Sequence, residues 1–126
     1  DTWVVRELIP TTPAFHAFYS GTPINKERRY FIEGKRVTKH IPYWIEGAFI
    51  RDDTDCVEWN RVDKTWREEL AEINLETLGE IDYLTRQSEK VGVHFDDAWS
   101  VDWLQSRNGA WYCIDMAPAS LSWGYR

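Results

Sequence analysis

The sequence predicts an α+β fold, an antiparallel β-sheet with two helices packed on one face. Two β-rich runs each surround a turn signal, KERRYFIEGKRVTKHIPYW at residues 26–44 and SVDWLQSRNGAWYCIDMAPAS at residues 100–120, and both read as hairpins. Between them apolar residues recur at spacings of three and four, the period of an amphipathic helix. Strands, then helices, then strands is the order of a sheet whose helices are segregated to one side.

In chain order, TWVVRELI (residues 2–9) is rich in β-formers and stops at Pro10, which predicts a strand. The following TTPAFHAFYSGTPIN contains Pro13, Gly21 and Pro23, which exclude a long regular element. The hairpin at residues 26–44 admits two loops. With Glu33 and Gly34 as a two-residue turn, Arg28 faces Lys39. With Glu33, Gly34 and Lys35 as a three-residue loop, Phe31 faces Val37 and Arg29 faces Lys39. The second is preferred because it aligns Phe31, Val37 and Ile41 on one apolar side.

Residues 51–58 are polar and suited to cap a helix. Beyond them Trp59, Val62, Trp66, Leu70 and Ile73 mark one helical face. Thr77 and Glu80 have the spacing of a capping box, and Leu78, Ile81, Leu84 and Val91 line a second helix ending near Gly92. In the last hairpin Asn108 and Gly109 are the natural turn pair, since both tolerate φ > 0. Counting outward from them, Asp102 faces Asp115. Two opposed carboxylates repel, and burial sharpens the repulsion unless a cation or a shared proton intervenes. Without that cation, replacing either aspartate by asparagine should leave the fold intact or relieve it.

The 126 residues suffice for one domain and one core, here spanning 1–126. No apolar run is long enough to span a membrane, and the start at Asp1 reads as a processed product or a piece of a longer chain. Cys56 and Cys113 lack metal-ligand spacing and disulfide density, which predicts free thiols of a cytoplasmic protein. A net charge of −6 argues against a nucleic-acid surface, which needs a basic stripe. The eight tryptophans are scattered rather than repeated, which disfavours propeller and lectin repeats.

Chemistry concentrates in two places. Asp102 and Asp115 offer the hard carboxylate oxygens that Mg²⁺ takes when it bridges to substrate phosphates; otherwise one of them sits exposed at a strand end. Arg28, Arg29 and Lys39 can clamp phosphate, arginine by its forked donors and lysine as a point charge; otherwise they are the solvated charges of an edge hairpin. Asp52, Asp53 and Asp55 lack the glycine and distal glutamate of a calcium loop, so helix capping is the better reading. His94 stands beside Asp96 and Asp97 but, like His16 and His40, has no second ligand at fixed spacing.

Three segments resemble the C-terminal half of an ATP-grasp domain, in a clade common in bacteria and their phages that is marked by conserved arginines and a lysine. VVREL (4–8) resembles the hinge strand that holds adenine. ERRYFIEGKRVTKHIPYW (27–44) resembles the E-x-R-x-F, dGk and YW pattern. SVDWLQSRNGAWYCIDMAPAS resembles the closing SvD and dG-x-wyxiE-x-N pattern, whose acidic residues and asparagine hold magnesium on ATP. The resemblance implies Asp102 and Asp115 as Mg²⁺ ligands, Arg29 and Lys39 as catalytic cations facing the phosphates, and Glu7 with Leu8, flanked by Arg6, as the adenine hinge. Arg28 falls in as a further ATP-binding cation.

The implied activity is an ATP- and Mg-dependent ligase that joins a carboxylate to an amine through an acyl-phosphate. The implied partners are nucleotide, the two substrates and an N-terminal ATP-grasp subdomain not contained in these residues. Ala117 stands where the family has its metal-binding asparagine, which motivates a second reading as a non-catalytic nucleotide-binding or interaction module. A third reading, an aromatic-rich domain for carbohydrate or peptide, requires exposed tryptophans.

Overall fold

The computed structural model describes residues 5–18, 20–49 and 65–126. The strands are β1 (Phe15–Ala17), β2 (Thr22–Ile24), β3 (Glu27–Glu33), β4 (Arg36–Pro42), β5 (Trp99–Gln105) and β6 (Trp111–Pro118), and the helices are α1 (Trp66–Asn74) and α2 (Leu78–Gly92). Strands β1 and β2 form a small antiparallel hairpin, and the other four make an antiparallel sheet in the order β4-β3-β5-β6. The α+β architecture with helices against one sheet face is as the alternation of patterns predicts.

Side-chain alternation along β3 and β5 divides the sheet into two faces. Tyr30, Ile32, Val101 and Trp103 point toward α2 and bury with Leu84, while the Trp103 indole donates to Ser88 Oγ at 2.9 Å. Arg28 lies on this side too, fully buried. Its Nε donates to Glu80 Oε2 at 2.8 Å and its Nη2 to the Ile73 carbonyl at 2.8 Å. The guanidinium ties β3 to the end of α1 and the start of α2. A second cluster of Phe15, Ala17, Ile24, Phe49, Trp66 and Leu70 holds the small hairpin against α1.

The start of α2 follows its capping-box signal, whereas α1 begins at Trp66 behind Thr65 rather than behind a cap in residues 51–58. Thr65 and Thr77 are the N-caps, each accepting from the backbone N–H three residues on, at 3.1 Å. Trp66, Leu70 and Ile73 lie on the packed face of α1; Trp59, Val62, Asp52, Asp53, Asp55 and Cys56 lie outside the described residues.

Three expectations are corrected. Residues 5–10 form no strand, and Val5 and Leu8 are exposed. The segment is held by isolated bonds, from Arg6 Nη1 to the Ile114 carbonyl and from the Arg107 N–H to the Pro10 carbonyl, and Pro10 has no N–H to extend a ladder. In the first hairpin the turn is Gly34-Lys35, both at positive φ (57° and 66°), with Glu33 opposite Arg36. A register shift between Phe31 and Ile32 then places Phe31 opposite Lys39 and Arg29 opposite Ile41. The apolar side built on Phe31 facing Val37 does not form; Val37 faces Ile32.

In the last hairpin the loop is three residues, Arg107 to Gly109, with the Ser106 N–H donating to the Ala110 carbonyl and Gly109 at φ 91°. Gln105 therefore faces Trp111, one residue away from the two-residue count. A register shift between Asp102 and Trp103 leaves Ile114 as an extra residue and returns Asp102 to Asp115. The bulge re-aims the strand, so the carboxylates are opposed as expected, by a different route.

Candidate functional site

The sheet face away from α2 gathers most of the residues singled out above. Register places Arg29 beside Asp102, Asp102 beside Asp115, and Lys39 beside Phe31 on β4, two residues along from Ile41, which faces Arg29. Alternation puts Glu27, Arg29, Phe31, Ser100, Asp102 and Leu104 on this one side. Arg28 is separated from them by the thickness of the sheet.

Asp102 is 4% exposed, and its partner is a protein cation. Arg29 Nε donates to Oδ1 at 2.9 Å and Nη2 to Oδ2 at 3.0 Å, a bidentate fork between strands. The same guanidinium stacks over Tyr43 and Trp123, at 5.0 and 5.4 Å from the ring centroids. Asp115 is exposed, and its Oδ1 accepts from the Met116 N–H at 2.9 Å. The predicted repulsion is thus offset by Arg29, and only one of the two aspartates is desolvated.

Residues 119–126 fold back over this face. After a short 3-10 turn at Ala119–Leu121, Ser122 Oγ meets Ser100 Oγ at 2.6 Å, Arg29 Nη1 donates to the Trp123 carbonyl at 3.2 Å, and Lys39 Nζ donates to the Gly124 carbonyl. Tyr125 donates to Glu33 Oε1 at 2.8 Å. Successive backbone carbonyls thus occupy the two cations that sequence reasoning assigned to phosphate. Gly124 has φ 86°, and a Cβ there would stand 2.4 Å from Ile41 Cδ1, so the strap approaches the sheet as only glycine allows.

Beside the carboxylates lies a cavity of ≈530 Å³ lined by residues 6–11 together with Pro23, Asn25, Leu104, Tyr112, Cys113 and Ile114. That volume is in the range of small-molecule sites, about 300–1,000 Å³. Arg6, Glu7 and Leu8, predicted as a hinge strand, form one wall of it without belonging to a strand. Leu104 is two residues from Asp102 on the same side of β5, about 7 Å along the strand, so the cavity and the charged cluster share one face.

Sequence reasoning missed Glu27. It is the first residue of E-x-R-x-F, and period-two alternation could have placed it beside Arg29. Its Oε2 accepts from the Trp44 indole at 2.6 Å, and burial foremost pushes its carboxyl above the usual range, with the Asp102 charge adding to the effect. Cys113 is a free thiol at the cavity wall, its pKa raised by partial burial.

The remaining candidates lie elsewhere. His40 stacks on Tyr30, and His16 is in β1. His94 follows α2, where its neighbour Asp96 pairs with Lys35. Trp66 and Trp103 are buried in the cores, whereas Trp123 and Tyr112 are exposed.

Asp102 and Asp115 suit Mg²⁺ chemically: two opposed carboxylates supply hard oxygens, and the ion ordinarily completes its shell with waters and substrate phosphates. Both Asp102 oxygens already accept from Arg29, each retaining a second lone pair, and Asp115 Oδ2 is left over. Among the described residues no three His, Cys, Asp or Glu side chains converge as a closed cage, and no helix is long and apolar enough to cross a membrane. No protein-family model, no curated protein and no solved structure matches the chain.

Proposed function

We propose that this chain is the Mg²⁺- and phosphate-binding half of an ATP-dependent ligase of the ATP-grasp kind, joining a carboxylate to an amine in the cytoplasm together with an N-terminal subdomain. The observation that carries the reading is the gathering of Arg29, Lys39, Asp102 and Asp115 on one sheet face beside a cavity walled by Glu7 and Leu8.

In this reading adenine lies in the cavity and the triphosphate runs along β5 toward Asp102. Arg29 and Lys39 stabilise the charge that spreads over the phosphoryl oxygens as the substrate carboxylate attacks. When bound at Asp102 and Asp115, Mg²⁺ neutralises the outer phosphates. Tyr43 and Trp123 keep water from the Arg29 guanidinium, which strengthens its field. Arg28, buried on the far face, holds the helices to the sheet and so positions β3 rather than touching nucleotide.

The second reading, a nucleotide-binding or interaction module without turnover, draws on Ala117 opposite Ser100 in the place of a metal-binding side chain and on the carbonyls already held by Arg29 and Lys39. Calorimetric titration with ATP at saturating Mg²⁺, beside Asp115→Asn, tests the proposal. Binding in the parent chain that is lost in Asp115→Asn supports a working magnesium-nucleotide site. Binding that is indifferent to both Mg²⁺ and Asp115 would overturn it.

A further inference from the structure

Every nitrogen of the Arg29 guanidinium has an acceptor. Nε and Nη2 donate to the Asp102 carboxylate, while Nη1 donates to the neutral carbonyl of Trp123. With the rings of Tyr43 and Trp123 also against it, Arg29 is only 7% exposed. Lys39, by contrast, is exposed, and the Gly124 carbonyl takes one of its three N–H groups. Residues 122–126 therefore govern access to Arg29 far more than to Lys39. Besides these two carbonyls, the segment is held by Ser122 on Ser100 at 2.6 Å, by the Tyr125 hydroxyl on Glu33 Oε1 at 2.8 Å and by the Tyr125 ring beside Phe31 at 5.6 Å. It belongs to no strand. A segment tied by so few bonds opens at a cost below that of unfolding the sheet.

We propose that residues 122–126 are an autoinhibitory strap, whose Trp123 and Gly124 carbonyls stand where the outer phosphates of a nucleotide bind and which must open for Arg29 to reach them. The inference rests on the phosphate role given to Arg29 above and adds its regulation. A charged phosphate oxygen makes a stronger hydrogen bond to guanidinium than a neutral carbonyl does. The Trp123 carbonyl is thus the acceptor that gives way, and the ionised Asp102 stays. Tyr43 directly follows β4 rather than belonging to the strap, and it keeps its place on the guanidinium in both states. While the strap is mostly closed, apparent affinity is lowered by the fraction of molecules that are open. By reciprocity, the nucleotide opens the strap as much as opening favours the nucleotide.

The test measures ATP and AMP affinities at saturating Mg²⁺ for the parent chain, Tyr125→Phe and Gly124→Ala, with amide hydrogen exchange at residues 122–126 followed in each. Tyr125→Phe keeps the ring beside Phe31 and removes only the bond to Glu33. It binds ATP about fivefold more tightly than the parent, the worth of one hydrogen bond of about 1 kcal/mol. Gly124→Ala, which loosens the strap at a different contact, gives a gain of the same sign. AMP, lacking the outer phosphates, binds all three chains alike, and ATP quickens exchange at 122–126 in the parent. ATP binding that leaves exchange there unchanged, with neither variant gaining affinity, overturns the strap and leaves the nucleotide reading standing. An equal gain for AMP overturns the placing of the strap on the outer phosphates. Should neither the folded parent nor the loosened variants bind ATP, both readings fall.

Discussion

Replacing Asp102 by asparagine leaves the Arg29 guanidinium buried against a neutral group. Breaking a buried pair from one side is costly because the other charge remains desolvated. Asp102→Asn should therefore destabilise the ligand-free protein by about 3 kcal/mol in urea unfolding, and Asp115→Asn, on an exposed side chain, should stay within about 0.5 kcal/mol. Equal effects would mean that Arg29 does not carry the offset. This asymmetry replaces the expectation that either substitution relieves repulsion. The opposed aspartates were legible from one hairpin, but their partner was not, because Arg29 and Asp102 are 73 residues apart and alternation alone does not say which distant strands pair. Glu27 gives a pH signature. Burial raises its folded pKa above 4.5, so the folded protein holds this proton more tightly than the unfolded chain. Its stabilising contribution is complete below that value and is lost as pH rises through the folded pKa. Glu27→Gln should match the parent near pH 4 and exceed it in melting temperature at pH 7; a constant difference across that window would contradict the assignment.

At the level of elements, the cap of α2 and the helical periods were readable because they are local. Thr77 with Glu80 and the apolar spacing through Val91 place α2 nearly to the residue. Bulges were not readable, since an extra residue such as Ile114 leaves the composition of a strand unchanged. Nor was the fate of residues 5–10: a run of β-formers makes a strand only if a neighbour offers its ladder, and this one has isolated anchors instead. The end of α2 shows tertiary packing overruling helix propensity. Alanine is the better helix former by about 1 kcal/mol, yet a Cβ on Gly92 would stand 2.6 Å from Cγ2 of Ile32, itself buried in the core. Gly92→Ala should therefore lower stability by about 1–3 kcal/mol, and Ile32→Val in the same chain should recover part of the loss. A stabilised Gly92→Ala protein would show that Ile32 moves aside freely.

For the molecule as a whole, the segment at 122–126 decides how the charged face meets its surroundings. Gly124→Ala forces a Cβ toward Ile41 at an unfavourable φ, so hydrogen exchange should quicken at residues 122–126, Trp123 emission should shift toward that of an exposed indole, and global stability should change little. Unaltered exchange there would mean that the strap does not depend on that close approach. The sheet order has a temporal meaning as well. Each hairpin closes across a short loop, an event of about 1–10 μs, whereas the joint between β3 and β5 must wait for some 70 residues to be drawn together. Such long closures are slow because their entropy is spent before any contact repays it. In the folded sheet the two hairpins are thus joined along one seam, and the Arg29–Asp102 pair lies on it. Whatever chemistry this face performs needs that seam closed, because Arg29 and Asp102 belong to different hairpins and meet only across it.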